Sequence, residues 1–120
     1  MTARRRKKQP LHLTKATLAK MIEQATVDAY GDAEQITGWL TMIEENLGVP
    51  FETNVLSVPI TVERVDLDRD ERIVAICRRG RVRQSLPIID LPLPTPLPDG
   101  AEWIEAYRRW RAENHHPGGS

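Results

Sequence analysis

The sequence has little of several residue types, and each shortage excludes a class of protein. A single cysteine among 120 residues, Cys77, excludes an internal disulfide framework and any cysteine-rich zinc site. Aromatic residues make up only 5% of the chain, so the core must be largely aliphatic. No apolar run approaches the roughly 18 residues of a membrane span, and none follows the basic N-terminus as in a secretory signal. We therefore expect a cytoplasmic protein with no membrane partner.

Groups that could perform catalysis are also scarce. The histidines all lie near the chain termini, at His12, His115 and His116. Ser57 and Ser85 lack a glycine elbow, and no glycine-rich phosphate loop is present. Cys77 lies in an apolar alternation far from any histidine, which is typical of an inert core thiol. The sequence therefore predicts that the protein is not an enzyme.

The charges balance overall, with 17 basic and 17 acidic side chains, but they are segregated along the chain. Five cations occupy residues 4–8. Within residues 20–71, twelve acidic side chains stand against three basic ones, whereas residues 72–90 hold five arginines and one aspartate. An acidic half on a small domain repels itself unless a cation, a basic partner or the protein's own arginines neutralise it.

The hydrophobic period predicts a helical hairpin after a disordered basic arm at residues 1–12. Thr14 is the expected N-cap of a first helix that ends near Tyr30, and Gly31 is expected to follow it with a positive φ. Asp32 should then cap a second helix that reaches about Leu47. The apolar stripe of this second helix comprises Ile36, Trp39, Leu40, Ile43 and Leu47.

After Pro50 the period changes to two, which predicts four short strands at residues 51–56, 60–66, 72–78 and 81–89. Short turns connect them, one of them at Arg79-Gly80, so we expect a small four- to five-stranded antiparallel sheet or an SH3-like barrel. The third strand is apolar on both faces, which favours a central position.

Residues 91–98, Leu-Pro-Leu-Pro-Thr-Pro-Leu-Pro, predict an extended segment, named here the proline strap. Asp99 is expected to cap a short C-terminal helix to about Ala112, with Trp103, Tyr107 and Trp110 on its apolar face. Residues 113–120 are expected to be a flexible tail. The predicted fold is α+β, a single domain over residues 13–112 in which the helical hairpin packs on the sheet.

Carboxylates on both sides of Gly31 are the strongest chemical signal. Asp28, Asp32 and Glu34 surround the predicted turn, where carbonyls at a helix end add partial negative charge. Calcium takes about six to eight oxygen ligands from groups of this kind. The alternative is that Asp32 only caps a helix while the other two carboxylates are solvated.

A second acidic stretch contains Asp66, Asp68, Asp70 and Glu71 and superficially resembles the start of an EF-hand loop. Counted from Asp66, the sixth position is Glu71 rather than glycine, and the twelfth is a cysteine rather than glutamate. A solvated hairpin turn is therefore the first interpretation. An open, low-affinity site at Asp66, Asp68 and Asp70 is the second.

The basic features suggest a different class of function. The N-terminal arm could contact phosphates, and so could the arginines around the predicted hairpin, which are Arg78, Arg79, Arg81 and Arg83. No aromatic residue interleaves with these arginines, so a base-stacking platform is missing. Pairing with the acidic half explains them equally well. The alternative function is an interaction module that binds nucleic acid or an acidic protein partner through the arm and the hairpin.

One part of the chain resembles a known family. The run Asp28-Ala-Tyr-Gly-Asp-Ala-Glu-Gln-Ile-Thr-Gly-Trp39, followed by Ile43-Glu-Glu-Asn-Leu47 and Pro50-Phe51, resembles the CcbP-type bacterial calcium-binding proteins. The resemblance implies a small α+β protein that binds Ca²⁺ without an EF-hand and serves as a calcium buffer or sensor.

The same resemblance implies metal ligands at Asp28, Asp32 and Glu34, with main-chain oxygens near Tyr30 and Gly31. This sequence departs from the family pattern in several places. Its acidic run is broken by Ala33, and the loss of one carboxylate implies a weakened calcium affinity. Leu40 and Thr41 replace an aromatic cluster. The proline strap and the C-terminal helix have no counterpart in the resemblance.

Overall fold

The computed structural model describes residues 13–114, so the basic arm, all three histidines and residues 115–120 lie outside the described part. The elements, in chain order, are α1 Lys15–Thr26, α2 Asp32–Asn46, β1 Phe51–Val55, β2 Val58–Leu67, β3 Ile73–Arg79, β4 Val82–Pro87, a 3₁₀ turn Ile88–Asp90 and α3 Ala101–Asn114. This order confirms the predicted α+β class, with a helical hairpin, an antiparallel sheet and a short C-terminal helix.

The first helix begins where the sequence predicts and ends earlier. Thr14 is its N-cap, because the Thr14 side chain accepts a hydrogen bond from the Thr17 N–H at 3.1 Å. The helix stops at Thr26 rather than near Tyr30, because the backbone becomes extended at Val27. The reversal to positive φ falls on Asp28, at 62°.

Two predictions at the start of α2 are therefore wrong. Gly31 is extended, with φ −135°, because Asp28 has already turned the chain and aspartate tolerates the left-handed region better than most residues. Gly31 also occupies the N-cap, so Asp32 is the first helical residue and does not cap the helix. Asp32 and Glu34 lie in the first turn, where the helix dipole favours negative charge.

The four strands form one open antiparallel sheet in the order β1-β2-β3-β4, so the sheet alternative of the prediction is the one adopted. β3 lies between β2 and β4, which confirms its predicted central position. In β2 the register shifts between Val62 and Arg64, leaving Glu63 as the extra residue of a bulge. The bulge lets Val62 and Val65 both be buried, opposite Cys77 and Ala75 of β3.

The core is centred on Trp39 of α2, which is completely buried. Its ring lies 6.2 Å from that of Trp103, 5.8 Å from that of Tyr107 and 5.7 Å from that of Trp110, measured between centroids. These three residues lie on the buried face of α3, which confirms the predicted apolar face of the C-terminal helix.

The proline strap is fixed at its start by polar contacts. The Thr53 hydroxyl on β1 donates to the Pro92 carbonyl at 2.7 Å. The Arg108 guanidinium on α3 donates to the carbonyl of Ile88 and to that of Leu91, and the Leu91 side chain is buried. Sheet, strap and C-terminal helix are thereby joined. The helix itself begins at Ala101 and extends to Asn114, slightly beyond the predicted end.

Gly38 marks the crossing of α1 and α2, and its replacement tests that packing. A Cβ at Gly38 would lie 1.9 Å from the Ala25 carbonyl oxygen, so the helices would have to separate. We expect Gly38→Ala to lower the free energy of unfolding by about 1–3 kcal/mol or more, measured by urea denaturation. In the control Gly31→Ala the added Cβ meets nothing within 4 Å. Equal stability of the two variants would contradict this crossing.

Candidate metal site

The turn between α1 and α2 projects into solvent. The Ala29 N–H donates to the Thr26 carbonyl at 3.0 Å, and the Gln35 N–H donates to the Gly31 carbonyl at 3.0 Å, so both ends of the turn are anchored. Between them the side chain of Tyr30 is 88% exposed and that of Val27 is 63% exposed. The turn therefore presents its side chains to ions in solution.

The structure brings two of the three predicted ligands together at this turn. Asp28 and Glu34 line one open concavity, whose other walls are Ala25, Val27, Ala29, Ala33, Thr37 and Gly38. Glu34 Oε1 accepts a hydrogen bond from the Tyr30 N–H at 2.7 Å, which closes the turn. Asp32 is exposed and does not line the concavity.

This arrangement is not a completed coordination sphere. Within residues 13–114, no group of three or more His, Cys, Asp or Glu side chains is placed so that it could hold a metal ion. The assignment of Asp28, Asp32 and Glu34 as ligands stays a prediction. What the turn offers is two carboxylates in one concavity and a third on the first turn of α2.

The carboxylates of Asp66 and Asp68, in the second acidic stretch, already accept hydrogen bonds from neighbouring residues. Asp68 Oδ1 accepts from the N–H groups of Asp70 and Arg72, at 2.8 and 2.9 Å. Asp68 Oδ2 pairs with the Arg72 guanidinium at 3.0 Å. Asp66 accepts from the Leu67 N–H at 2.8 Å and pairs with Arg64 at 2.9 Å.

These contacts lower the pKa of both carboxyls. For Asp68 the largest cause is the hydrogen bond from the Arg72 main chain, and for Asp66 it is the one from the Leu67 main chain. Asp68 therefore closes the β2–β3 hairpin with its carboxylate, whereas Asp66 bonds to residues within β2. A cation at Asp66, Asp68 and Asp70 would have to displace these donors.

Two of the four hairpin arginines are paired within the sheet. Glu63, the bulge residue, accepts from the Arg78 Nε at 2.6 Å and from the Arg83 Nε at 2.9 Å. These hydrogen bonds, that from Arg78 first, lower the pKa of Glu63. Arg79 and Arg81 form no ion pair within the described part of the chain. The prediction of intramolecular pairing is thus confirmed for half of the cluster.

Glu63, the acid that pairs with these arginines, was not among the predicted site residues. The signal is present: two polar residues, Glu63 and Arg64, separate the apolar Val62 and Val65, where a regular strand would have one. An interruption of this kind is typical of a β-bulge.

Two further observations concern Cys77 and membrane-spanning helices. Cys77 is buried, and burial raises the pKa of its thiol, which fits an inert core residue. Over residues 13–114, no helix combines the length and apolarity that crossing a membrane requires.

Removal of the Asp68 charge tests the closed loop. Because the pKa of Asp68 is lowered in the folded state, its carboxylate stabilises the fold above the unfolded-state pKa, and this contribution disappears as the pH falls through the folded-state pKa. We expect Asp68→Asn to unfold at a lower temperature than the wild type at pH 7. The gap should close below about pH 4. The control is Glu71→Gln, which removes a neighbouring charge that forms no ion pair within residues 13–114. Thermal unfolding is measured across pH, and a gap independent of pH would contradict the assignment.

The chain was compared with models of known protein families. The model of the CcbP family, described as calcium binding, matches residues 19–111. The matched range contains most of α1, all of α2, the whole sheet, the proline strap and nearly all of α3. The strap and C-terminal helix are therefore within the family's extent, contrary to the expectation from the resemblance. Comparison with curated proteins and with solved structures gave no match.

Proposed function

The chain belongs to the CcbP-type calcium-binding family, and we propose that it binds Ca²⁺ at the α1–α2 turn as a non-enzymatic calcium buffer or sensor. The proposed ligands are the carboxylates of Asp28, Asp32 and Glu34, with main-chain oxygens near Tyr30 and Gly31. The observation that carries this choice is the contrast between the two acidic stretches, because only one of them has arginines beside it.

At the turn, none of the three carboxylates forms an ion pair within residues 13–114, and after Lys20 the next basic residue in the chain is Arg64. In the second acidic stretch, Asp66 at the end of β2 and Asp68 in the β2–β3 loop already have arginine partners. A cation added to the turn therefore relieves repulsion, whereas one added to the loop replaces existing pairs.

The chemistry of the turn suits calcium better than a smaller or softer ion. Calcium accepts carboxylates, carbonyls and water in flexible geometry, and magnesium demands a near-ideal octahedron. Glu34 uses Oε1 for its bond to the Tyr30 N–H, and Asp32 lies outside the concavity. Binding through all three carboxylates therefore requires the turn to rearrange around the ion.

Two further properties are part of the proposal. A non-enzymatic role is supported by the buried Cys77 thiol, with its raised pKa, and by the absence of histidine from residues 13–114. A cytoplasmic location is supported by the free thiol, since unpaired cysteines are usual in reducing compartments.

The assignment is tested by a calcium titration followed by two-dimensional NMR and calorimetry, repeated with magnesium. We expect saturable shifts centred on residues 28–34 with calcium, and their loss in the double variant Asp28→Asn, Asp32→Asn. The matched control is Glu44→Gln, Glu45→Gln, which removes the same charge near the other end of α2. An unchanged calcium affinity in the first variant would sink the site, while equal losses in both variants would indicate only diffuse charge attraction.

The same spectra distinguish a buffer from a sensor. A sensor must change a surface beyond its ion site, whereas a buffer only takes up the ion. Because α1 and α2 are held by a packed core, we expect calcium-induced shifts to stay within the turn and the first turn of α2, which identifies a buffer. Shifts that extend to the sheet on saturation would identify a sensor.

A further inference from the structure

The face of the sheet that carries the core is not covered over its whole length. Near the β1–β2 and β3–β4 turns an apolar groove of roughly 370 Å³ stays open. Its floor and walls include Val55, Val58, Ile60, Cys77, Val82 and Leu86. Val82 is 62% exposed, and Leu56, in the adjoining turn, is 92% exposed with φ 52°, a conformation uncommon for a bulky residue.

The groove borders an open sheet edge. β4 pairs only with β3, and its first four residues, 82–85, are all exposed. Gly80 and Arg81 form a two-residue turn that joins the pair Arg79↔Val82. Such a turn closes on a hydrogen-bonded pair, and pairs then alternate along an antiparallel ladder. The main-chain N–H and C=O groups of Arg83 and Ser85 are therefore directed away from β3.

The rim of the groove is positively charged. Four arginines flank the β3–β4 turn, and Glu63 is the one acid paired with any of them in the described part of the chain. Arg79 lines the groove, and neither it nor Arg81 has an acidic partner there. No aromatic side chain lines the groove, so it lacks the stacking surface that single-stranded nucleic acid uses. An apolar floor with a cationic rim instead complements a peptide that is both apolar and acidic.

We propose that β4 and this groove bind an extended segment of a partner protein, in which apolar and acidic residues alternate, as a fifth strand of the sheet. Side chains of an added strand point alternately to the two faces. On the groove face its apolar side chains would contact Val82 and Leu86. On the opposite face its carboxylates would lie beside Arg83, whose side chain bonds Glu63 through Nε and is still 63% exposed. This surface belongs to different elements from the calcium turn, so the two proposals stand or fall separately.

The test uses the full-length protein and a fluorescent peptide of about eight alternating valine and glutamate residues, a length that matches an ordinary strand. Ser85→Pro removes the outward N–H without removing a bond to β3, and Ser85→Ala keeps that N–H. We expect the peptide to bind the wild type and Ser85→Ala equally, and to bind Ser85→Pro about three- to ten-fold more weakly by fluorescence anisotropy. Circular dichroism confirms that each variant is folded.

A second variant keeps the proposal falsifiable if Ser85→Pro does not fold. Val82→Asp places a charge on the groove at an exposed position and should also weaken peptide binding. Absence of binding to the wild type, or equal binding by a serine–glutamate peptide or by single-stranded DNA, would overturn the proposal. Self-association in the ultracentrifuge that Ser85→Pro abolishes would also overturn it, because a second copy would then be the occupant.

Discussion

The fold depends on the packing of Trp39 against the aromatic face of α3. This one indole contacts three aromatic rings from a helix about 60 residues later in the chain, and it is completely buried. Its Nε1 has no hydrogen-bond partner in the described part of the chain, so Trp39 stabilises the core through apolar and ring contacts. Next to it, Gly38 allows α1 to cross α2 at backbone contact. Two adjacent residues thus fix the positions of all three helices.

Two groups of acidic residues differ in their partners. Glu63 on the sheet and Asp68 in the β2–β3 loop are held by arginines, and Asp68 also accepts main-chain N–H hydrogen bonds. Those at the α1–α2 turn have no cationic partner in the described structure. The zero net charge of the whole chain therefore conceals a local imbalance that the folded domain does not remove. A divalent cation at the turn and an acidic partner at the arginine-rich hairpin are the two ligands that this imbalance favours.

The elements could be predicted because they rest on local chemistry. The Thr14 cap, the change of hydrophobic period after Pro50 and the turn at Gly80 are all encoded within a few residues. The positive φ of Asp28 could not be predicted in this way. Gly31 was the better local candidate for a positive φ, but α1 ends at Thr26 and the chain turns earlier, at Asp28. The sequence does carry a local signal for the bulge, in the two polar residues between Val62 and Val65, but only the pairing of β2 with β3 shows that Glu63 is the extra residue.

The candidate site shows why the types of residue in a site are easier to predict than the arrangement of their side chains in space. The motif from Asp28 to Trp39 combines two kinds of residue: carboxylates on the turn, and the pair Gly38 and Trp39 that packs the helices. The packing residues bring α2 against α1 and so determine where the turn lies, but they do not direct its side chains. Gly31 at the N-cap provides no side-chain hydrogen bond to α2. A serine there would cap the helix and stiffen the turn, whereas with glycine the side-chain link between the turn and α2 is the Glu34 carboxylate, which accepts from the Tyr30 N–H.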